Sequence, residues 1–434
     1  MACVEEQRQA AISMHVILVS VGTDGDIFPY VGLGAKMRAR GHQVTLVASA
    51  SYGPLASAHG LAFHALVSVE ENQELFGHPD VWNPWKTAPL AARWGVRFIE
   101  RQYNLLSKLI TEDTVLVANP AVFAAPLVNE KFGTPLAHMT LQPWMIPSVI
   151  APPVMPGLTL FGRTPRLVWK TFWRGLNVVG DILVGRHLNR LRASLGLKPQ
   201  SRIFDHWLSP HLILGLFPEW YGQPQADWPP QIRLTGFPMF DGGRSEDLSP
   251  QILEFCHAGD PPAAFTFGTC MAHPADLFRG ALEACAILGV RGIFLTKYRD
   301  QLPNTLPASV LHCAFAPFQK LFPQCAAVVH HGGIGTVAKS MAAGTPQLIC
   351  PICFDQNDNG VRVKNLGVGD WLKPRRGDGR QIANALTRLM TSETRSRCRA
   401  LLARFENTDA LAAAAQCIEE FTTSQGVSPG SSQG

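Results

Sequence analysis

The sequence predicts an α/β protein made of two domains, each built on a parallel sheet. Its 434 residues, 46% hydrophobic and 16% charged, exclude a small disulfide-stapled module and a disordered chain. Short β-rich runs alternate with helical spacings, and the same alternation restarts after about residue 260. This alternation is typical of parallel sheets covered by helices, so we expect two such units with the functional cleft between them.

The individual elements follow from local patterns. In the first half, the predicted strands are the apolar runs 15–20, 43–48 and 114–118, with helical spacing at Leu33/Met37 and at Ile99/Tyr103/Leu106. In the second half, the predicted strands are 263–267, 292–296, 326–329 and 347–350, with helical spacing at Ile382/Leu386/Leu389.

Five segments are expected in order along the chain. Residues 1–13 form a disordered extension, 14–236 the N-terminal domain, and 237–250 an interdomain linker rich in Gly and Pro. Residues 251–421 form the C-terminal domain, whose final helix packs back on the N-terminal domain. Residues 422–434 form a disordered, Ser- and Gly-rich tail.

Charge and cysteine content narrow the class of protein. A net charge of +5 does not indicate a nucleic-acid partner, although it permits an anionic small molecule. The ten cysteines are scattered, apart from the pair Cys350 and Cys353, and favour reduced thiols in the cytoplasm. This pair lacks a second CxxC, so packing is preferred over a redox or zinc role, and no metal is expected. The acidic N-terminal residues and the lack of a long apolar run lead us to expect neither a signal peptide nor a membrane-spanning segment.

The loop after the first predicted strand carries two carboxylates, Asp24 and Asp26, between glycines. Such a loop lies at the carboxyl edge of the sheet, where open α/β folds bind their ligands. Asp26 is equally suited to capping the helix that follows, and the local pattern leaves both roles open.

A second glycine loop, HHGGIGT, follows the predicted strand 326–329 and precedes a helix. Free N–H groups at a helix N-terminus, fronted by Gly333 and Gly335, suit a phosphate, and a histidine adds a donor. The loop matches neither the Walker pattern nor GxGxxG. Glycines needed only for packing are the alternative, but that leaves His330 and His331 without a role.

Asp355 and Gln356 follow the next strand and are expected to open onto the same cleft. Their side-by-side acceptors and donors suit sugar hydroxyls, although alone the pair is typical of a solvated turn.

Together, the GTDGD loop, the HHGGIGT loop and the DQNDN segment resemble the GT-B glycosyltransferases, whose members act on macrolides, glycopeptides, sterols and plant metabolites. The resemblance implies two Rossmann-like domains facing each other across a cleft, with the acceptor bound by the N-terminal domain and the donor by the C-terminal one. It also implies inverting, metal-independent transfer from a dTDP- or UDP-linked sugar, with no further cofactor. The run 216–229 and the linker are most similar to rhamnosyltransferases of rhamnolipid biosynthesis.

The resemblance assigns donor-binding roles residue by residue. The positions that match the family's diphosphate contacts are Thr269, His331, Gly333, Gly335 and Thr336. Phe315 stands where relatives stack a tryptophan on the pyrimidine, and a phenyl ring can also stack. Asp355 and Gln356 match the sugar-binding pair, and Asn359 matches the asparagine after it.

The resemblance also implies the catalytic base. Plant-type relatives use a histidine held by an aspartate, but here Asp26 stands at the histidine position and Asn119 at the aspartate position. Sterol and some antibiotic transferases share the GxxGD form and use the aspartate itself, so Asp26 is the expected base. Asp24 is the alternative.

The acceptor is inferred from residues 80–225, which are rich in aromatics and prolines. Between Met155 and Arg202 there are nine Lys or Arg and a single acid, Asp181. This composition favours a lipid-like acceptor with a carboxylate, such as a hydroxyacyl fatty acid, and peripheral contact at the inner membrane face. Core aromatics and a solvated basic helix are the bland alternative. A sterol or polyketide acceptor, a catalytically silent partner subunit and a nucleotide-sugar epimerase remain open.

Overall fold

A computed structural model describes residues 13–83, 85–155, 164–243, 247–268, 275–373 and 377–425. Two separate parallel sheets organise the chain, one of seven strands and one of six. The predicted α/β class with two Rossmann-like domains is therefore confirmed. We call the unit built on the seven-stranded sheet the N-terminal domain and the unit built on the six-stranded sheet the C-terminal domain.

The N-terminal sheet has the order β3-β2-β1-β4-β5-β6-β7. Its strands are β1 (His15–Val19), β2 (Gln43–Ser49), β3 (Ala62–Val67), β4 (Thr114–Ala118), β5 (Leu136–Thr140), β6 (Leu212–Gly215) and β7 (Ile232–Leu234). Strand β1 is central, and His15 pairs with Gln43 on one side and Thr114 on the other. Alternate β1 residues enter two cores, Leu18 on one face and Ile17 on the other, which explains the apolar run.

Helices cover both faces of this sheet. They are α1 (Asp24–Ala39), α2 (Gly53–Ala58), α3 (Val69–Phe76), α4 (Thr87–Leu109), α5 (Ala124–Phe132), α6 (Arg166–Gly180) and α7 (Arg186–Ser194). A single π-helical turn, Asp181–Gly185, joins α6 to α7.

The C-terminal sheet has the order β10-β9-β8-β11-β12-β13. Its strands are β8 (Ala263–Thr266), β9 (Gly292–Leu295), β10 (Val310–Cys313), β11 (Ala327–His330), β12 (Gln347–Ile349) and β13 (Gly369–Trp371). Its helices are α8 (Pro250–His257), α9 (Ala275–Leu288), α10 (Phe318–Leu321), α11 (Ile334–Ala342), α12 (Gln356–Asn365), α13 (Gly379–Leu389) and α14 (Ser392–Leu402).

In both sheets the strand order reverses beside the first strand of the domain, β1 or β8. Ligands of open α/β sheets bind outside the carboxyl ends of the strands at such a reversal. The loops that follow β1 and β11 therefore occupy the positions where the fold favours a ligand.

The last helix, α15 (Ala410–Ser424), returns to the N-terminal domain. Its residues Leu411 and Ile418 belong to the same core as Leu33 of α1. Lys36 also pairs with Asp409 at 2.7 Å. The predicted tail from residue 422 begins too early, because α15 continues to Ser424 and the buried Thr422 hydroxyl donates to the Ile418 carbonyl. The extension predicted over 1–13 lies, except for Ser13, outside the described residues.

Candidate active site

The first glycine loop holds Asp26 in the opening turn of α1, where it does cap the helix. Asp26 Oδ2 accepts hydrogen bonds from the Thr23 backbone N–H at 2.8 Å and from the Thr23 hydroxyl at 3.2 Å. Gly22 has φ +138°, and a Cβ there would lie 2.2 Å from Asp26 Oδ2, so only glycine fits. Burial raises the pKa of Asp26, and the bonds from Thr23 partly oppose the rise. Capping therefore fixes this carboxylate without preventing it from taking a proton.

The neighbouring polar side chains Asp24 and Asn119 make hydrogen bonds of their own. Asp24 Oδ1 accepts a hydrogen bond from the Tyr52 hydroxyl at 2.9 Å. Asn119 Oδ1 accepts from the backbone N–H of Ala121 at 2.8 Å, within its own turn. Asn119 is thus engaged locally.

The two consecutive histidines of the second loop have different environments. His330 is fully buried, with Nδ1 accepting from the Gly332 N–H at 3.1 Å and Nε2 donating to Gln347 Oε1 at 2.9 Å. Burial lowers its pKa to about 3, so it is a neutral support for the loop. His331 is partly buried, and its Nδ1 has no hydrogen-bond partner among the described residues. Burial lowers its pKa to about 4, and a hydrogen bond with the Thr266 backbone partly opposes this shift. His331 therefore retains hydrogen-bonding capacity at this loop.

Glycines surround His331 and open the N-terminus of α11. A Cβ at Gly333 would lie 2.6 Å from His331 Nε2, whereas one at Gly335 would meet nothing within 4 Å. Gly333 is the N-cap of α11, no side chain of the described residues caps this helix, and the partly buried Thr336 lies in its first turn. Uncapped N–H groups at a helix start can bind an anion such as a diphosphate.

The start of α12 holds the predicted sugar pair, Asp355 as the N-cap and Gln356 as the first helical residue. Asp355 is 8% exposed, and burial raises its pKa to about 7. Gln356 is 3% exposed, and its Oε1 accepts from the backbone N–H groups of Ile352 and Cys353 at 2.7 and 3.0 Å. Gln356 therefore shapes its own loop with its carbonyl, which leaves its Nε2 group as the donor for a hydroxyl.

Asn359 requires a correction, because we expected it to contact the donor. It has no exposed surface, and its Nδ2 donates to Asp355 Oδ2 at 2.6 Å and to the Gly332 carbonyl at 2.8 Å. It therefore positions Asp355 and the glycine loop from behind. Of the other expected residues, Phe315 is 45% exposed after β10, and Thr269 lies outside the described residues.

The two domains bring these groups into electrostatic contact. The negative charge of Asp26 contributes to the raised pKa of Asp355. Ile334, at the start of α11, packs against the core of the N-terminal domain as well as its own. Asp26, the uncapped start of α11 and the pair Asp355 and Gln356 thus lie at one interdomain region, an arrangement that suits transfer of a group from a phosphate to a hydroxyl.

The sequence did not predict the N-terminal residues that contact the segment 353–359, which contains the predicted sugar pair. The Tyr221 hydroxyl donates to Asn359 Oδ1 at 2.7 Å, and Thr87 Oγ1 lies 3.2 Å from Cys353 Sγ. Trp82 meets Phe354 edge-on at 5.8 Å, and Phe354 has φ +56°, a strained conformation of the kind found at functional sites. The only available signal was the aromatic run 216–229, which local periodicity does not interpret.

Sequence comparison identifies known domains in both halves of the chain. Residues 16–151 match the glycosyltransferase family 28 N-terminal domain, and residues 292–415 match the erythromycin biosynthesis protein CIII-like C-terminal domain. Glycosyltransferase GtfE of Amycolatopsis orientalis is 29% identical over 93% of this chain and 97% of its own. The sterol 3-beta-glucosyltransferase of Candida albicans is 25% identical over 85% of this chain, which spans only 25% of that enzyme.

Solved structures confirm the architecture. The glycotransferase of kitacinnamycin superposes with a TM-score of 0.72 at 18% identity, covering 94% of this chain and 99% of its own. The spinosyn rhamnosyltransferase SpnG complexed with thymidine diphosphate gives 0.67 at 18% identity, over 94% and 100%. The fold, the two domain matches and the relatives agree: the chain has the GT-B fold and is homologous to glycosyltransferases, among them family 28, erythromycin CIII-like and sterol enzymes.

Proposed function

We propose that this protein transfers a sugar from a nucleoside diphosphate to an acceptor hydroxyl with inversion, without requiring a metal, and that Asp26 is the general base. The observation that carries the proposal is the contact of the two domains at the sugar pair, where Tyr221 bonds to Asn359 and Thr87 lies against Cys353, and where the charge of Asp26 adds to the raised pKa of Asp355. A base on the N-terminal domain and a sugar site on the C-terminal domain place the acceptor hydroxyl between them. The base removes the hydroxyl proton as the bond to the anomeric carbon forms and the nucleoside diphosphate leaves.

The donor is a dTDP- or UDP-linked hexose, rhamnose being the specific candidate. The uncapped start of α11 and the imidazole of His331 offer N–H donors to the diphosphate. Phe315 offers an exposed ring for the pyrimidine. The spinosyn rhamnosyltransferase, which shares this fold, binds thymidine diphosphate.

The acceptor is a lipid-like hydroxyl compound, such as a hydroxyacyl fatty acid, and the product a glycolipid. The aromatic residues of the segment 80–225 fall into two groups, those buried in the core, such as Trp169, and those on the surface, such as Trp85, which is 70% exposed. A sterol or polyketide acceptor is the alternative, since a sterol 3-beta-glucosyltransferase and an O-mycaminosyltylonolide 6-deoxyallosyltransferase are among the relatives.

The outer face of α6 and its π-helical turn suits the surface of an anionic bilayer. Leu167, Val178 and Ile182 are 59 to 70% exposed, and Lys170 and Arg174 are exposed beside them. Apolar side chains with a basic fringe bind the headgroup region. None of the described helices is long and apolar enough to cross a membrane. We therefore propose peripheral attachment at the inner face of the membrane, from the cytoplasm.

A panel assay tests the function. Purified protein is incubated with dTDP- and UDP-linked rhamnose and glucose, and with a hydroxyacyl lipid, a sterol or a macrolide aglycone, and products are identified by mass spectrometry. A glycosylated lipid supports the full proposal. Transfer only to the sterol or the macrolide contradicts the lipid acceptor and supports the alternative acceptor. Donor binding with neither transfer to an acceptor nor hydrolysis of the donor favours the silent-subunit alternative.

Flotation with anionic and neutral vesicles tests the membrane surface. The wild type should float with the anionic vesicles, and Ile182→Glu should remain in the soluble fraction while keeping its transfer activity toward a water-soluble acceptor. Equal flotation of the two proteins contradicts a role for this face.

A further inference from the structure

A buried hydrogen-bond chain joins the two domains directly behind the sugar pair. Tyr221 follows β6 of the N-terminal sheet, and its hydroxyl donates to Asn359 Oδ1 at 2.7 Å. Asn359 Nδ2 in turn donates to Asp355 Oδ2 at 2.6 Å and to the Gly332 carbonyl at 2.8 Å. Tyr221 is 4% exposed and Asn359 fully buried. One amide therefore connects the N-terminal domain to both loops of the donor site.

The three partners allow a single orientation of the Asn359 amide. Its NH₂ group faces two acceptors, and its carbonyl faces a tyrosine that burial keeps protonated by raising its pKa well above the usual range. Without the tyrosine hydroxyl, Asn359 Oδ1 is left buried without a donor. An unpaired buried carbonyl is costly, so the amide and the carboxylate that it holds shift to recover a partner.

A second set of bonds secures Tyr221 against α12. Arg362 Nη1 donates to the Tyr221 carbonyl at 3.0 Å, and its Nε donates to Asp358 Oδ2 at 2.7 Å. Asp358 Oδ1 accepts from the N–H of Val154, another N-terminal residue, at 2.9 Å. Contact between Tyr221 and Asn359 thus depends on the N-terminal domain being seated against α12.

The two donor loops depend on this chain unequally. The glycine loop has an independent support, because His330 accepts from the Gly332 N–H at 3.1 Å. The Asp355 carboxylate is held by Asn359, whose bond lowers the pKa of Asp355 against the larger effect of burial. Loss of the tyrosine hydroxyl therefore affects the sugar pair more than the diphosphate loop.

We propose that Tyr221 is a positioning residue for recognition of the donor sugar: through Asn359 it orients Asp355, so that the sugar site is completed only when the N-terminal domain is seated on α12. This inference rests on the proposed function and adds a selectivity role for an N-terminal residue that does not itself touch the sugar. Binding of the free nucleoside diphosphate does not require it.

The test compares wild type with Tyr221→Phe, which keeps the buried ring and removes the hydroxyl. Binding of dTDP, UDP, dTDP-glucose and UDP-glucose to the full chain is measured by calorimetry. In Tyr221→Phe, we expect the Kd for dTDP-glucose or UDP-glucose, whichever the wild type binds, to rise by about 3- to 10-fold, as for loss of one hydrogen bond. The Kd for dTDP or UDP should stay unchanged. We also expect the pH midpoint of nucleotide-sugar binding to move upward, because Asp355 loses an oriented donor.

Tyr103→Phe is the matched control, because Tyr103 is buried at 5% exposure in the N-terminal core, stacked on Phe132. It should leave both affinities and the pH midpoint unchanged. Equal losses of nucleotide and nucleotide-sugar affinity in Tyr221→Phe, or no change in either, overturn the inference. If wild type binds nucleotide sugars with the expected Tyr221 dependence but transfers none, the proposed reaction fails and the positioning role stands.

Discussion

Replacing Asp26 with asparagine separates the two roles that its carboxylate fills, helix cap and base. Asp26 Oδ2 accepts from the N–H and the hydroxyl of Thr23. An amide oxygen can keep the bond to the N–H but cannot take a proton from the acceptor. The negative charge near the helix N-terminus, worth about 0.3 to 1 kcal/mol, is lost as well.

These magnitudes decide how the result is interpreted. One weakened hydrogen bond and the lost charge cost on the order of 1 to 2 kcal/mol of unfolding free energy, against the roughly 5 to 15 kcal/mol of an ordinary domain. Loss of a general base slows transfer by about 10²- to 10⁴-fold. Asp26→Asn should therefore remain folded and bind the nucleotide, but lose nearly all turnover.

The assay is steady-state transfer with parallel nucleotide titration and thermal unfolding. Asp24→Asn is the matched control, because it changes the neighbouring carboxylate, which is bonded to Tyr52, and should retain most activity. Turnover near wild type in Asp26→Asn refutes the assignment, and activity lost only in Asp24→Asn transfers the role to Asp24. Because the pKa of Asp26 is raised and the base must be ionised, wild-type kcat should fall as pH falls through that raised pKa.

Three further predictions concern the donor site. His331→Ala should weaken binding of dTDP or UDP by about 10- to 150-fold, measured by titration, because a charge-assisted hydrogen bond to the diphosphate is lost; His330→Ala should instead mainly lower thermal stability, and the reverse pattern contradicts the assignment. Gln356→Glu keeps an acceptor for the Ile352 and Cys353 N–H groups but loses the amide donor. We therefore expect kcat/KM for the nucleotide sugar to fall by about 5-fold or more, with an unchanged nucleotide Kd. Equal kcat/KM in wild type and variant would show that Gln356 has a purely structural role. Burial raises the folded-state pKa of Asp355 from the usual 3.8 to about 7, so its contribution to stability is fully present below pH 3.8 and is lost as pH rises toward 7. Wild type should therefore lose unfolding free energy relative to Asp355→Asn between about pH 4 and 8, and parallel denaturation curves across that range would show that Asp355 titrates normally.

Much of the fold could be predicted because parallel strands buried on both faces are continuous apolar runs. The β1 run and the strand before the HHGGIGT loop needed no tertiary information, and their following glycine loops lie at the carboxyl edges that topology requires. The strand β13 and the partnership of Tyr221 with Asn359 could not be predicted, since a three-residue strand carries no period and a contact across 138 residues leaves no local pattern.

The candidate site shows the same division. Residue type, spacing and the family resemblance predicted Asp26, His331 and Asp355 as site residues, but they could not distinguish a side chain that faces a ligand from one that supports it. Asn359 has the chemistry of a sugar contact, yet it is sealed behind Asp355. Only the three-dimensional packing of two domains determines which of two neighbouring polar groups faces the cleft.

The return of α15 to the N-terminal domain has a consequence for synthesis of the chain. Leu411, Ile418 and Phe421 belong to the core that also contains Leu33 and Met37, so this apolar surface lacks its cover until residues 410–424 have been translated. The domain made first is therefore completed last, after the C-terminal domain has emerged from the ribosome. Until then the face of α1 that α15 covers is exposed apolar surface on the nascent chain, of the kind that makes partly folded species prone to aggregation.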